Sequence, residues 1–368
     1  MRYGDELPFL TLASWCAREQ DRNYLAQIIE NQKKHAGADV LIVAKRRFFG
    51  PLKLRKSKAA ISQLLEFTIQ VSRVCAELGL ASRLVFWDKL PADVSGKIVF
   101  SHHSTSDMFT PAQLEKNDIH HFKSGDLPNV LTIDKDGFSG WSSLAPKAVS
   151  ELNLQDIELA KAQRYFDDSK QELRAKNISK YSQPKSEDSA LEHDGPSVFV
   201  ALQTVNDMVQ KKAYMSVFDM LDTVVDAYRG TDVEVRIKRH PKCRSYKMKK
   251  ALERVSQESH VCIVTGSIHS CLEAAKAVIT VNSGVGSEAM IYALPTYCFG
   301  ASDYGPVAHQ VRSAQEAKDV LIRLEPRVTQ EDLLRFYYYY RNIYQLNSAQ
   351  RIAARIAEIV STSKFRGS

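Results

Sequence analysis

The sequence predicts an α/β protein built of two parallel-sheet units. Short β-branched apolar runs alternate with helix-spaced stretches through residues 38–138, the pattern of strands joined by crossover helices. The alternation restarts after SQPKSEDSALEHDGPS at 182–197, a polar stretch with proline near each end and the composition of an exposed connector. A chain of 368 residues suffices for two domains with separate apolar cores, whereas one domain of that size would be unusually large.

Each element has its own signal. In the first half, ADVLIVAK (38–45), SRLVFWDK (82–89), GKIVFSHH (96–103) and NVLTIDKDGF (129–138) read as strands, and AAISQLLEFTIQVSRVCAEL (59–78) reads as a helix. Residues 151–180, rich in Leu, Ala, Glu and Lys, predict a helix closing a first domain over 1–185. The second domain, 195–330, reads VFVALQ, helix 208–228, VEVRIKRHP, helix 246–257, HVCIVT, helix 269–276, AVITVNS, helix 286–292 and TYCFG. A last helix starts at Thr329, with Asp332 three residues on as a start signal, and fills 331–362, long enough to pack back across both domains.

Composition narrows the class. The chain is 44% hydrophobic and 25% charged, with no apolar stretch near the ~20 residues that span a bilayer. Its first residues, MRYGDELPFLTLASWC, lack a charged-then-apolar leader, which predicts a cytoplasmic protein. Cys16, Cys75, Cys243, Cys262, Cys271 and Cys298 form no CxxC pair, as expected of reduced, buried thiols. The formal charge of +7 favours anionic ligands without demanding nucleic acid. Much of the excess sits in KRRFFGPLKLRKSK at 45–58: a solvated loop, or a patch that meets anionic lipid headgroups or a charged glycan.

Four stretches carry candidate chemistry. In VITVNSGVGSEAMIYALPTYCFG (278–300), Ser283, Gly284, Gly286 and Ser287 stand between a strand and a helix. The carboxyl end of a parallel strand and the unpaired amides of a helix start suit a phosphate or carboxylate, each contact being worth ~0.3–1 kcal/mol. Glu288 follows, placed to meet a ribose diol. The same letters also read as G-x-G-x-x-A through Gly284, Gly286 and Ala289, with Asp303 19 residues past Gly284, the dinucleotide pattern of an NAD-type oxidoreductase; that motif normally opens its domain, and here three strands precede it. A purely structural tight turn is the third reading.

In VRIKRHPKCRSY (235–246) a strand ends in Lys238, Arg239 and His240, with Pro241 forcing its neighbour out of helical geometry. VALQTVNDM (200–208) puts Gln203, Asn206 and Asp207 after the domain's first strand, to read a base or sugar or simply to cap a helix. IDKDGFSGW (133–141) delivers Asp134 and Asp136 into a glycine turn flanked by Phe138 and Trp141: an ordinary Asp-Gly turn, or a nucleophile or base for sugar chemistry. Tyr3, His102, His103, Ser104 and Thr105 are further candidates for acceptor or donor contacts. Adjacent histidines on an extended segment point to opposite sides, which argues against a zinc site.

In that order the motifs resemble the bacterial retaining β-Kdo glycosyltransferases of capsule and O-antigen assembly, over roughly 129–305. The carrying residues are Asp136-Gly137-Phe138, Gln203 with Asp207, Lys238 with His240-Pro241, Ser267-Ile268-His269, and Asn282-Ser283 through Glu288 to Gly300 and Tyr304. The resemblance implies a GT-B architecture, two Rossmann-like domains facing a cleft, with CMP-Kdo as donor, a polysaccharide or glycolipid as acceptor and no metal.

It further implies that His240, Pro241 and the turn of Ser283, Gly284 and Ser287 hold the phosphate, with Lys238 and His240 assisting catalysis. Gln203, Asp207, Ser267, His269, Asn282 and Tyr304 would complete the donor side, with Glu288 on the ribose. Asp136 would be the nucleophile, and His102, His103, Ser104 and Trp141 would face the acceptor. Lys135 stands where such enzymes often carry an acid, so Asp134 remains a second nucleophile candidate. A peripheral place at the inner face of the cytoplasmic membrane, within a polysaccharide assembly complex, fits this reading. The alternatives are a CMP-sialate or CDP-polyol phosphate transferase and a non-catalytic nucleotide-binding module.

Overall fold

The structure, a computed structural model, describes residues 38–45, 58–90, 92–184 and 195–366. Tyr3, Cys16, most of the basic segment 45–58 and most of the connector at 182–197 lie outside these. The chain divides into two compact units. The first comprises the described residues of Met1–Gly125 with Asn129–Phe138 and Gln345–Ser368; the second comprises Asp126–Pro128 and those of Ser139–Tyr344.

In the first unit, strands β1 (Val40–Ala44), β2 (Ser82–Phe86), β3 (Ile98–His102), β4 (Asp118–Ser124) and β5 (Leu131–Asp134) join the short strand Gln345–Leu346 in one sheet. Their order is Gln345–Leu346, β5, β4, β3, β1, β2. Pairing is parallel from β2 to β4 and antiparallel from β4 outward. β1 is buried on both faces, as central parallel strands are. Val40, Ile42 and Ala44 pack against Phe67 and Val71 of helix Lys58–Glu77 and Ile356 and Val360 of helix Ala349–Thr362, while Leu41 and Val43 meet Val99 and Phe109 on the other side. β4 is absent from the sequence reading because DIHHFKS is mostly polar.

The second unit holds β6 (Ser197–Ala201), β7 (Glu234–Lys238), β8 (Val261–Ile263), β9 (Ala277–Thr280), β10 (Thr296–Cys298) and β11 (His309–Gln310), in the order β11, β10, β9, β6, β7, β8. Every pair is parallel. This is the doubly wound order: the chain starts centrally, winds one way to β8, then returns past its start to wind the other way. β6 and β9 flank the reversal, where connections leave in opposite directions and open a crevice at the strands' carboxyl ends. Helix Val217–Tyr228 covers one face, burying Met220, Leu221, Val224 and Tyr228 against Val198, Val235 and Ile279.

Two expectations change. Residues 139–184, placed in a first domain ending at 185, belong to the second unit. Leu144, Leu154 and Phe166 pack on Met290, Tyr304 and Tyr337, so their apolar faces are covered there. The single C-terminal helix over 331–362 is two helices. Gln330–Tyr339 starts where the sequence indicated, Thr329 Oγ1 accepting from the Asp332 amide at 3.1 Å. It then widens into a π-turn at Tyr340–Tyr344, gives way to the strand Gln345–Leu346, and restarts at Ala349–Thr362 with Ser348 as cap. The break was written as Asn347-Ser348 inside the apolar pattern. Among the described residues no helix is long and apolar enough to cross a membrane, and Cys75, Cys243, Cys262, Cys271 and Cys298 form no disulfide.

Within the π-turn Arg341 is buried and donates to the equally buried Asp126 at 2.7 Å. Removing one partner strands a charge away from water. Arg341→Met should therefore cost about 3–5 kcal/mol in urea unfolding, and adding Asp126→Asn should recover most of it.

Candidate functional site

At the reversal, β6 leads to Gln203 and β9 to Asn282, both buried. The Asn282 amide N–H donates to Gln203 Oε1 at 3.2 Å, and Gln203 Nε2 donates to Asn282 Oδ1 at 2.7 Å. Asn282 Nδ2 reaches the carbonyls of Val209, at 2.9 Å, and Ala301, at 3.1 Å. The two residues expected on the donor thus bind each other and fasten three loops. Their amides shape the crevice from below.

The turn after β9 is filled by the protein itself. Tyr304, fully buried, donates its hydroxyl to the Ser283 carbonyl at 2.5 Å and lays its ring where a side chain on Gly286 would stand. Gly286 is therefore a packing glycine, and the G-x-G-x-x-A letters follow the fourth strand of the sheet rather than its first. The Gly286, Ser287 and Glu288 amides bond back to the Ser283 and Gly284 carbonyls. Ser287 is buried with its hydroxyl on the Asp126 carboxylate. Ser283 and Gly284 remain half-buried.

Glu288 is 5% exposed, and its Oε2 has no hydrogen-bond partner among the described residues. Burial pushes its carboxyl up to about 8, with the Asp126 charge adding and Ser179, Arg341 and Lys180 opposing. Near neutral pH it is a carboxylic acid, able to donate a hydrogen bond.

At the end of β7 the Lys238 ammonium donates to the Thr265 carbonyl, at 3.1 Å, and to that of Gly266, tying two loops together. His240 Nδ1 accepts from the Lys242 amide at 3.1 Å, so its neutral ring carries the proton on Nε2. Burial, then the Lys242 charge, hold its pKa below the ordinary histidine value. The ring meets Tyr181 edge-on at 5.2 Å. Pro241 and Asp207 are exposed, and Asp207 caps the 3-10 turn Met208–Lys212 through the Val209 amide at 3.3 Å.

Ser267 and His269 are engaged by a segment the sequence reading did not single out, 177–183. Ser267 donates to Asn177 Oδ1 at 2.5 Å, His269 Nε2 lies 2.8 Å from the Ile178 carbonyl, and the Ile268 amide donates to Gln183 Oε1 at 3.0 Å. His269 Nδ1 is 2.9 Å from the Tyr292 hydroxyl, so both ring nitrogens are occupied.

In the first unit, Asp134 is buried and its Oδ1 accepts from the amides of Asp136 at 2.8 Å and Gly137 at 3.1 Å. Gly137 takes φ 149°, a conformation glycine favours. Asp136 is exposed, with partial burial and then the Asp134 charge raising its carboxyl above the ordinary range and Lys135 opposing. The neighbouring Phe138 lies 5.2 Å from the His103 ring and under the Lys123 ammonium at 3.9 Å.

The acceptor candidates divide. His103 is half-buried and takes φ 50°, so the strand alternation assumed for the two histidines stops at His102, which is buried. Ser104 is buried, 2.6 Å from Ser101 Oγ and 2.8 Å from His121 Nδ1. His121, unremarked in the sequence, is pushed down to about 3 by burial and is neutral. Trp141 is buried in the second unit with the Lys212 ammonium 5.2 Å from its ring. Ser104 and Trp141 offer an acceptor little surface.

Two Rossmann-like sheets, the second with a switch-point crevice, define the GT-B class of α/β proteins expected from the sequence. Residues 155–307 match the model of a family described as capsule polysaccharide biosynthesis protein. Among solved structures, the β-Kdo 2,7 transferase of Thermosulfurimonas dismutans KpsC aligns over 88% of this chain and 98% of its own, at 16% identity and a TM-score of 0.52. The β-Kdo 2,4 transferase of the same KpsC covers 88% of this chain and 99% of its own, at 16% identity and 0.51. The resemblance to capsule β-Kdo transferases is thus met by both the family match and the fold. No curated protein sequence matches the chain.

Glu288 gives a pH signature. Its folded carboxyl binds a proton more tightly than the unfolded one, so its contribution to stability is complete below about 4.5 and is lost as pH rises toward about 8. Glu288→Gln should lose less Tm than the wild type between pH 5 and pH 9, by roughly 2–4 °C for each kcal/mol of linkage removed. Parallel Tm–pH curves would mean that Glu288 ionises normally.

Proposed function

We propose that the chain is a retaining glycosyltransferase that moves β-Kdo from CMP-β-Kdo to a polysaccharide or glycolipid acceptor by double displacement. The observation that carries the reading is the division of the Asp pair, with Asp134 buried as the organiser of the turn and Asp136 presented from it. The capsule-family match and the fold shared with two β-Kdo transferases support the sugar and the setting.

In this mechanism the ionised Asp136 carboxylate attacks the anomeric carbon of Kdo while the bond to the CMP phosphate oxygen breaks, leaving a glycosyl ester and free CMP. The acceptor hydroxyl then attacks the same carbon, loses its proton to solvent or a base, and releases Asp136 as carboxylate. Two inversions give net retention. His240 offers its Nε2–H to the phosphate beside the Ser283–Gly284 turn, which stabilises the departing anion. Glu288, as a neutral acid, donates to a ribose oxygen. Side chains carry the phosphate charge in this scheme, so EDTA should leave the rate unchanged. A cytoplasmic enzyme whose basic residues at 45–58 meet anionic headgroups would suit a lipid-linked acceptor.

Incubation with CMP-Kdo alone should add one Kdo mass to the peptide containing Asp136. Asp136→Ala should abolish the adduct and lower transfer ~10³-fold or more, the scale on which loss of a nucleophile acts. Asp134→Asn should keep the adduct but lower its rate up to ~10²-fold, because the turn is misplaced. An adduct on Asp134 would reverse the two roles. Turnover of CMP-sialate or CDP-glycerol in place of CMP-Kdo would overturn the donor.

A further inference from the structure

Segment 177–183 crosses the carboxyl edge of the second sheet and is fastened there residue by residue. Asn177 takes the Ser267 hydroxyl, Ile178 the His269 ring, and Gln183 the Ile268 amide. Between these anchors the chain carries Lys180, exposed, and Tyr181, half-buried. Three attachments within seven residues are more than a surface linker needs.

Tyr181 is packed against two basic side chains. His240 abuts it at 5.2 Å with the rings at 86°, and the Lys242 ammonium stands 4.2 Å from its ring centre. Lys180, the exposed neighbour of Tyr181 in the chain, and Lys242 both carry charge that disfavours protonation of His240. The end of β7 therefore combines an aromatic ring, a neutral imidazole N–H and two ammonium groups. An aromatic plate beside cations is the combination that binds a base and its phosphate together, because every base has a π-face and every nucleotide an anion.

We propose that segment 177–183 forms a wall of the nucleotide site, the Tyr181 ring stacking on the pyrimidine base and the Lys180 and Lys242 ammonium groups meeting the phosphate. The proposal deepens the reading of the crevice as a donor site and rests on it.

Titration calorimetry with CMP and with ribose 5-phosphate, which has no base, tests it. Tyr181→Ala should weaken CMP binding ~10-fold or more while leaving ribose 5-phosphate within about 2-fold, and Tyr181→Phe should keep CMP affinity. Lys180→Ala combined with Lys242→Ala should weaken both ligands. Equal loss of both in Tyr181→Ala would show collapse of the segment instead of lost stacking, and no loss of either would remove Tyr181 from the site; both outcomes overturn the wall. Wild type that binds UMP in place of CMP, with the same dependence on Tyr181, would sink the CMP donor and leave the wall standing. Wild type that binds no nucleotide would sink both.

Discussion

The second unit depends on two amide side chains that meet at the reversal of its sheet. Parallel strands expose unpaired loops at their carboxyl ends, and at a switch point the loops leave in opposite directions, so nothing in the sheet itself fixes their separation. Gln203 and Asn282 supply that constraint through a reciprocal pair of hydrogen bonds, and Asn282 extends it to the loops at Val209 and Ala301. Buried amides left unpaired cost about 1–3 kcal/mol each, so neither is readily replaced. Tyr304, seated under the Ser283 carbonyl, gives the next turn its shape from the same foundation.

Burial governs the charge state of the groups above this base. Glu288 is held neutral where free glutamate would be ionised, and His240 is held neutral by burial and the Lys242 charge although the Asp207 charge opposes. A crevice that keeps its acid uncharged does not repel a phosphate, and a neutral imidazole still donates one hydrogen bond. Positive charge comes instead from ammonium groups at the rim, where desolvation costs little. That division accords with the modest net charge of +7: the proposed anionic donor would need a few placed cations and no basic surface.

Much of this was written in the sequence, unevenly. Apolar runs located β1, β3, β5 and most strands of the second sheet, and Thr329 with Asp332 marked a helix start to the residue, because periodicity and capping are local. β4 escaped because an edgeward strand beside an antiparallel neighbour tolerates polar residues. The C-terminal run read as one helix because its apolar spacing continues through Asn347-Ser348, and the break there is set by pairing with β5, a tertiary contact. The motif letters marked turns at the crevice without showing which way their side chains face: Gln203, Asn282, Tyr304, Ser267 and His269 bond inward. Spacing indicates which residues share a turn, whereas the direction each one faces is decided by partners distant in sequence. Segment 177–183 had no signal of its own, because NISKYSQ resembles the polar connector it precedes.

The Asp134 and Asp136 carboxylates show the same rule in its sharpest form. They are one residue type two positions apart, and on an extended strand they would face the same side. The strand ends at Asp134, whose carboxylate turns back to bind two amides of the following turn and so becomes part of the backbone's hydrogen bonding. A carboxylate holding two N–H groups is a poor nucleophile, since attack would have to break both bonds while the turn lost its support. Asp136 has no such duty, and its raised pKa, driven by partial burial and the Asp134 charge, marks a carboxylate somewhat more basic than the ordinary one. The first carboxylate fixes the backbone so that the second meets the surface at a set angle, and in the proposed double displacement such placing would lower the barrier more than basicity does.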